Sequence, residues 1–147
     1  MINQFEAEET LNAKLTEIIK SDTMVAIAGQ EIPIFWTGIN ALPYNNVNLT
    51  VKHYDIRERL AYISSGITKQ ERILYMEIRS PTQTLNSYQT ALKISRYLAE
   101  LFMYNSSITG LTTYEATSED QGIEDNFYLL RLSIYYSFNC QIGAFHG

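Results

Sequence analysis

The chain has 147 residues, 46% of them hydrophobic and 18% charged, with 16 acidic against 11 basic side chains and a formal net charge of −5. That is enough for one domain burying about 70% of the surface its unfolded form exposes, and the composition excludes a disordered chain. No basic stripe offers the phosphate neutralisation on which nucleic-acid binders depend. The lone cysteine, Cys140, rules out an internal disulfide and fits a reducing compartment.

The opening MINQFEAEET has neither the positive region nor the apolar stretch of a signal peptide. No apolar run approaches the roughly 20 residues of a membrane helix, so the expectation is a soluble protein made in a cytoplasm. Residues 5–20, FEAEETLNAKLTEIIK, space Phe5, Leu11, Leu15, Ile18 and Ile19 for a helix, with acids early and Lys14 and Lys20 later, as the helix dipole prefers. A short strand over 30–36 contains Pro33, which points to a sheet edge. The turn-rich TGINALPYNNVN follows, and then VNLTVKHYD, residues 47–55, where Val47, Leu49 and Val51 alternate with polar residues as in a half-buried strand.

Residues 56–70 mix charge and apolarity around Ser64-Ser65-Gly66, the pattern of a long hairpin arm or loop. Residues 71–79 alternate again, with Leu74, Met76 and Ile78 inward, and Ser80-Pro81 closes the strand. Thr84 is placed to cap a helix reaching about Tyr104, with Leu85, Ala91, Leu92, Ser95, Leu98, Ala99 and Phe102 as its buried stripe. Two strands are expected over 107–117 and 125–139, joined by the polar SEDQGIE as a hairpin turn. In the second, Tyr128, Leu130, Leu132, Ile134, Tyr136 and Phe138 share one face, the clearest period of two in the chain. The sum is a single α+β domain over 1–147, a mixed or antiparallel sheet with two helices on one face, in the order α-β-β-β-α-β-β.

The strand-to-helix joint RSPTQTLN is where a phosphate loop or nucleophile could sit. It holds no glycine, so neither a phosphate cradle nor a G-x-S-x-G elbow can form there. It is a scaffold joint. His53 and His146 lack metal-ligand spacing, so neither metal nor cofactor is expected. His53 and Asp55, two apart on a strand, could orient an imidazole as a base, but no nucleophile accompanies them. Cys140, near the end of an apolar strand, reads as a small core residue. YDIRERLAYI sets Asp55, Arg57, Glu58 and Arg59 beside Tyr54 and Tyr62, a mixture suited either to a specific protein contact or to a solvated hairpin. SEDQGIED gathers Glu119, Asp120, Glu124 and Asp125 without the spacing of a calcium loop, and reads as a solvated acidic turn.

Function is therefore sought in surfaces. The helix, the segment IPIFWTGINALP, the strands VNLTVKHYD and ERILYMEIRSP, the helix YQTALKISRYLAELF and a closing hairpin ending YLLRLSIYYSFNC together resemble the tail terminator, or tail completion, proteins of long-tailed bacteriophages. The resemblance covers most of the chain and rests on the order of elements. It implies a non-enzymatic virion protein that forms a ring, usually six-fold, on the head-proximal end of the tail tube. Such a ring stops tube growth and presents a docking surface to the head connector, while DNA passes through without specific binding. The implied partners are copies of itself, the tube protein and the head completion protein. Tyr54, Asp55, Arg57, Glu58, Arg59 and Tyr62 are its candidate interface, and Glu119, Asp120, Glu124 and Asp125 a candidate acidic lumen or surface turn. Alternatives are a neck adaptor and a small α+β enzyme or ligand-binding domain centred on His53.

Overall fold

A computed structural model describes residues 2–36, 46–60, 66–83, 86–103, 108 and 110–141, with the side chains of 59 and 60 excepted. Three helices and five strands follow one another: α1 (Gln4–Ile19), α2 (Asp22–Ala28), β1 (Ile34–Trp36), β2 (Asn48–Leu60), β3 (Ile67–Pro81), α3 (Ser87–Met103), β4 (Thr112–Glu124) and β5 (Phe127–Gln141). The α+β expectation holds, with one helix more than the sequence suggested.

That helix, α2, is set by its ends. Ser21 caps it by accepting from the Met24 N–H, and Gly29 closes it in the left-handed region at φ 80°. α1 is started by a capping box, in which the Asn3 side chain accepts from the Glu6 N–H and Glu6 reaches back to the Asn3 N–H. Thr84 and Leu85, expected as cap and first buried residue of α3, lie outside the described residues. Within α3 the buried stripe is Ala91, Ile94, Ser95, Leu98 and Phe102, so Ile94 joins the expected set while Leu92 and Ala99 are only half-buried.

The sheet order is β1-β2-β3-β5-β4. β1 runs parallel to β2 over just Ile34–Trp36, at the edge that Pro33 predicts. All other pairings are antiparallel. β3 and β5 pair along their whole lengths, from Ile67 opposite Gln141 to Pro81 opposite Phe127, and form the spine of the molecule. One sheet face carries Leu49, Val51, Leu74, Met76, Ile78, Leu130, Leu132, Ile134, Tyr136 and Phe138, which join Leu11, Leu15, Met24, Leu98 and Phe102 of the helices in one core. Cys140 is buried in that core, as expected. Its thiol pKa is pushed up by burial, so it is a poor nucleophile.

One boundary differs instructively. Residues 56–60 and 67–70 follow the hairpin-arm alternative, with β2 and β3 continuing through them as one long antiparallel hairpin. SEDQGIE, by contrast, is not a turn. It is the second half of β4, and the chain reverses at Asp125-Asn126, both with positive φ (51° and 66°). Two consecutive left-handed residues match a tight hairpin turn whose twist suits the flanking strands. A polar edge strand and a solvated turn share composition, which is why the acids misplaced the reversal.

Leu74 sits at 0% exposure in the middle of the central strand. Leu74→Ala should therefore cost about 2–5 kcal/mol of unfolding free energy, measured by urea denaturation.

Candidate functional site

The sheet alternation divides the expected YDIRER cluster between two faces. A β-bulge between Asp55 and Arg57 shifts the register, so Ile56 is the extra residue. Tyr54, opposite Ile73, and Arg57, opposite Glu71, lie on the face away from the core; Asp55, opposite Arg72, and Glu58, opposite Gln70, lie on the helix side. The cluster is thus two sites. Tyr62 lies outside the described residues, and Arg59 is placed only by its backbone, opposite Lys69.

On the helix side a polar network joins α1 to three strands. Arg72, whose side chain is 4% exposed, donates from Nε to Asp55 Oδ1 at 2.7 Å and from Nη1 to Glu8 Oε1 at 2.6 Å. Nη1 also donates to the Tyr136 hydroxyl at 3.1 Å. That hydroxyl lies 2.9 Å from His53 Nδ1, and His53 Nε2 lies 2.8 Å from Asn12 Oδ1. The amide oxygen of Asn12 can only accept, so Nε2 carries the proton and Nδ1 accepts from Tyr136. Polarity then runs one way, from Arg72 through Tyr136 and His53 to Asn12. Every member is satisfied, which is the condition under which a buried polar network is tolerated.

The electrostatics agree. Burial drives the His53 pKa down to about 4, with Glu8 opposing and the Arg72 charge reinforcing the fall. His53 is therefore neutral at pH 7, as the hydrogen-bond direction requires. Burial works against the Arg72 charge, but its hydrogen bond to Glu8, the Tyr136 oxygen and its hydrogen bond to Asp55 outweigh it, so its pKa sits above the ordinary value. Burial likewise raises the Tyr136 hydroxyl.

The His53–Asp55 pair foreseen from sequence does not form. Both imidazole nitrogens go to Tyr136 and Asn12, and Asp55 goes to Arg72. Asn12, Glu8, Arg72 and Tyr136 were missed because they converge from distant parts of the chain. The only hint was an arginine at an inward position of the β3 alternation. A half-open cleft of about 270 Å³, lined by Glu8, Asn12, Trp36, Val51 and His53, borders the network. His146 lies outside the described residues.

The other face is different in kind. The described helix residues in the core meet the opposite face, and this one is filled by aromatic and charged side chains. Tyr54 packs edge-on against Tyr75 at 5.6 Å, Tyr114 lies 6.1 Å from Tyr135, and the Arg131 guanidinium stands 6.0 Å over the Tyr75 ring. Glu71 pairs with Arg57, and Glu77 accepts from Arg79 at 3.5 Å and sits 3.4 Å from Arg131. The Tyr75 hydroxyl donates to Glu77 at 3.0 Å; burial and that carboxylate push its pKa up to about 12. Tyrosine rings fixed by neighbouring charges, half in water, are the groups that most often anchor protein contacts.

The acidic residues take a third position. Glu119, opposite Arg131, faces the tyrosine side of the edge strand β4; Asp120 faces the other side, Glu124 ends the strand, and Asp125 opens the turn. Asp120 Oδ1 accepts from the Gly122 N–H at 2.7 Å. The nearby Tyr128 hydroxyl and this N–H hold the Asp120 carboxyl below its usual range.

No family model and no curated protein matches this sequence. Among solved structures, one chain at 15% identity aligns over 89% of this chain and 94% of its own, with a TM-score of 0.58, and so shares the fold. Another, from the virion of a native gene transfer agent particle, is 10% identical, with 83% of this chain and 87% of that one covered, at a TM-score of 0.44. An overlap that loose defines no common architecture. Among the described residues no helix is long and apolar enough to cross a membrane.

The His53 pKa is lowered in the fold from 6.5 to about 4, so the unfolded chain binds the extra proton more readily. His53 thus contributes stability that is fully present above pH 6.5 and lost as the pH falls towards 4, on the order of 2 kcal/mol given its partial exposure. His53→Gln should flatten that part of a curve of unfolding free energy against pH. Tyr136→Phe removes the hydroxyl that joins Arg72 to His53 and should cost about 1–3 kcal/mol in urea denaturation at pH 7.

Proposed function

We propose that this chain is a structural, non-enzymatic virion protein. It forms a ring, six-fold by the resemblance, that caps the head-proximal end of a phage tail tube. The cap ends tube polymerisation and offers the surface on which the head connector docks. The observation that carries this reading is the sheet face that none of the described helices covers, where Tyr54, Tyr75, Tyr114 and Tyr135 lie among the Arg57–Glu71 and Glu77–Arg131 pairs. Aromatic area supplies binding energy there, and fixed charges set which partner fits and in which register.

The element order that resembles the tail terminators also supports it, since a two-layer body with one bare sheet face can be packed into a ring without refolding. The net charge of −5 suits a passage that DNA crosses without sticking, because phosphates are repelled and not held. The cleft beside His53 favours a second reading, a ligand-binding domain; its imidazole, with both nitrogens engaged, is poorly placed to take a proton from a substrate.

The decisive experiment mixes the purified chain with tail tubes from the phage that encodes it and examines them by electron microscopy, with solution mass measured in parallel. Rings at a single tube end, and loss of tube overgrowth, are expected. A persistent monomer that ignores tube ends overturns the terminator reading, and binding to the portal or neck in place of the tube converts it to a neck adaptor. DNA-cellulose should retain none of the protein even at low salt.

A further inference from the structure

The two outer edges of the sheet are open over unequal lengths, and they match each other. β1 covers β2 only at Leu49–Val51, so from Lys52 to Leu60 the outer edge of β2 has no strand beside it among the described residues. At the far side, β4 pairs with β5 and has no other strand along Thr112–Glu124 among the described residues. Among the described residues, four of the six exposed large hydrophobic side chains, Tyr54, Ile56, Tyr114 and Ile123, lie on these two stretches. Bare edges carrying apolar side chains pair with other chains unless something prevents it.

We infer that the β4 edge of one copy pairs with the Lys52–Leu60 edge of the next, continuing the sheet from subunit to subunit. The inference rests on the ring reading above and names its junction. Direction supports it. β2 and β5 run one way and β3 and β4 the other, so a copy placed alongside without inversion sets β4 antiparallel to the next β2, tyrosine face beside tyrosine face.

Charge supports it too. β4 carries Glu115, Glu119, Asp120 and Glu124 and no lysine or arginine. The open part of β2 carries Lys52, Arg57 and Arg59; Arg57 already pairs with Glu71, and of its two acids Asp55 is bound to Arg72. Glu115 and Glu119 share the tyrosine face with Lys52 and Arg57, since they lie opposite Tyr135, Arg131, Tyr75 and Glu71 respectively. Two β4 edges or two β2 edges would instead bring like charges together, which disfavours a two-fold dimer. The bulges between Thr113 and Glu115 and between Asp120 and Gly122 leave Glu115–Asp120 as the regular run available for pairing. They also add twist, so that each junction turns the next copy and the series can close.

Paired cysteines test this in the full-length chain. Glu115→Cys, Thr117→Cys and Glu119→Cys are each combined with Lys52→Cys, treated with a short bismaleimide and resolved on denaturing gels. Each single variant serves as a control for the buried Cys140. A ladder of multimers from at least one double variant, with none from any single variant, is the expected result. Dimers from a single variant, or no ladder from any pair, overturn the edge pairing. If solution mass and tube-end rings persist without a ladder, only this junction fails; if no assembly occurs, the ring reading fails with it. Glu115→Lys combined with Glu119→Lys should weaken self-association at least tenfold, with Lys52→Glu restoring part of it.

Discussion

A buried guanidinium needs partners, and much of this molecule is arranged around one. Arg72 sits at the centre of the spine strand β3, pointing under α1, where leaving it unpaired would cost several kcal/mol. Its bonds reach Glu8 on α1, Asp55 on β2 and Tyr136 on β5. One side chain thus fixes how the first helix lies across three strands. Apolar packing of Ala7, Leu11 and Leu15 holds α1 down but tolerates sliding, whereas directional bonds to Glu8 and Asn12 set its register. His53 extends the constraint to the mouth of the cleft, and its neutrality follows first from its own burial, with the Arg72 charge reinforcing it.

With the helix side committed to structure, the opposite side is left for the contacts proposed above. The two faces use the same residue types differently. On the helix side tyrosine and arginine bond inward and are almost hidden. On the other they form shallow ring contacts and ion pairs half in water, which add little stability to the free chain. The surplus of tyrosine, 11 in 147 residues, thus divides between an internal bridge such as Tyr136 and exposed rings such as Tyr54 and Tyr114.

Much of the fold was legible in the sequence because its strands are half-buried. In β5, Tyr128 to Phe138 alternate so regularly that the inward face follows from period two, although the partner strand does not. α2 escaped although its signals were present: Ser21 and Gly29 bracket it, but seven residues are too few to show a helical period. β4 was cut short because its second half is exposed on both faces and has the composition of a turn. The site was less legible. The residues around Arg72 are brought together by long-range pairing, and one sequence carries no trace of contacts between Glu8 and Arg72, 64 positions apart. The cluster at 54–59 stands out in the sequence, but its division between two faces depends on a bulge that composition does not reveal.

That bulge at Ile56 acts as a phase shifter. On its near side odd-numbered residues look towards the helices; beyond it the even-numbered ones do, as Asp55 and Glu58 illustrate. Deleting Ile56 would straighten the strand and leave Arg57 opposite Glu71 and Glu58 opposite Gln70, each on its present face. Drawing Ile56 into the ladder would instead carry Arg57 under the helices and Glu58 out among the tyrosines. The outer half of the hairpin therefore keeps its two chemistries only while this one residue stays out of the pairing.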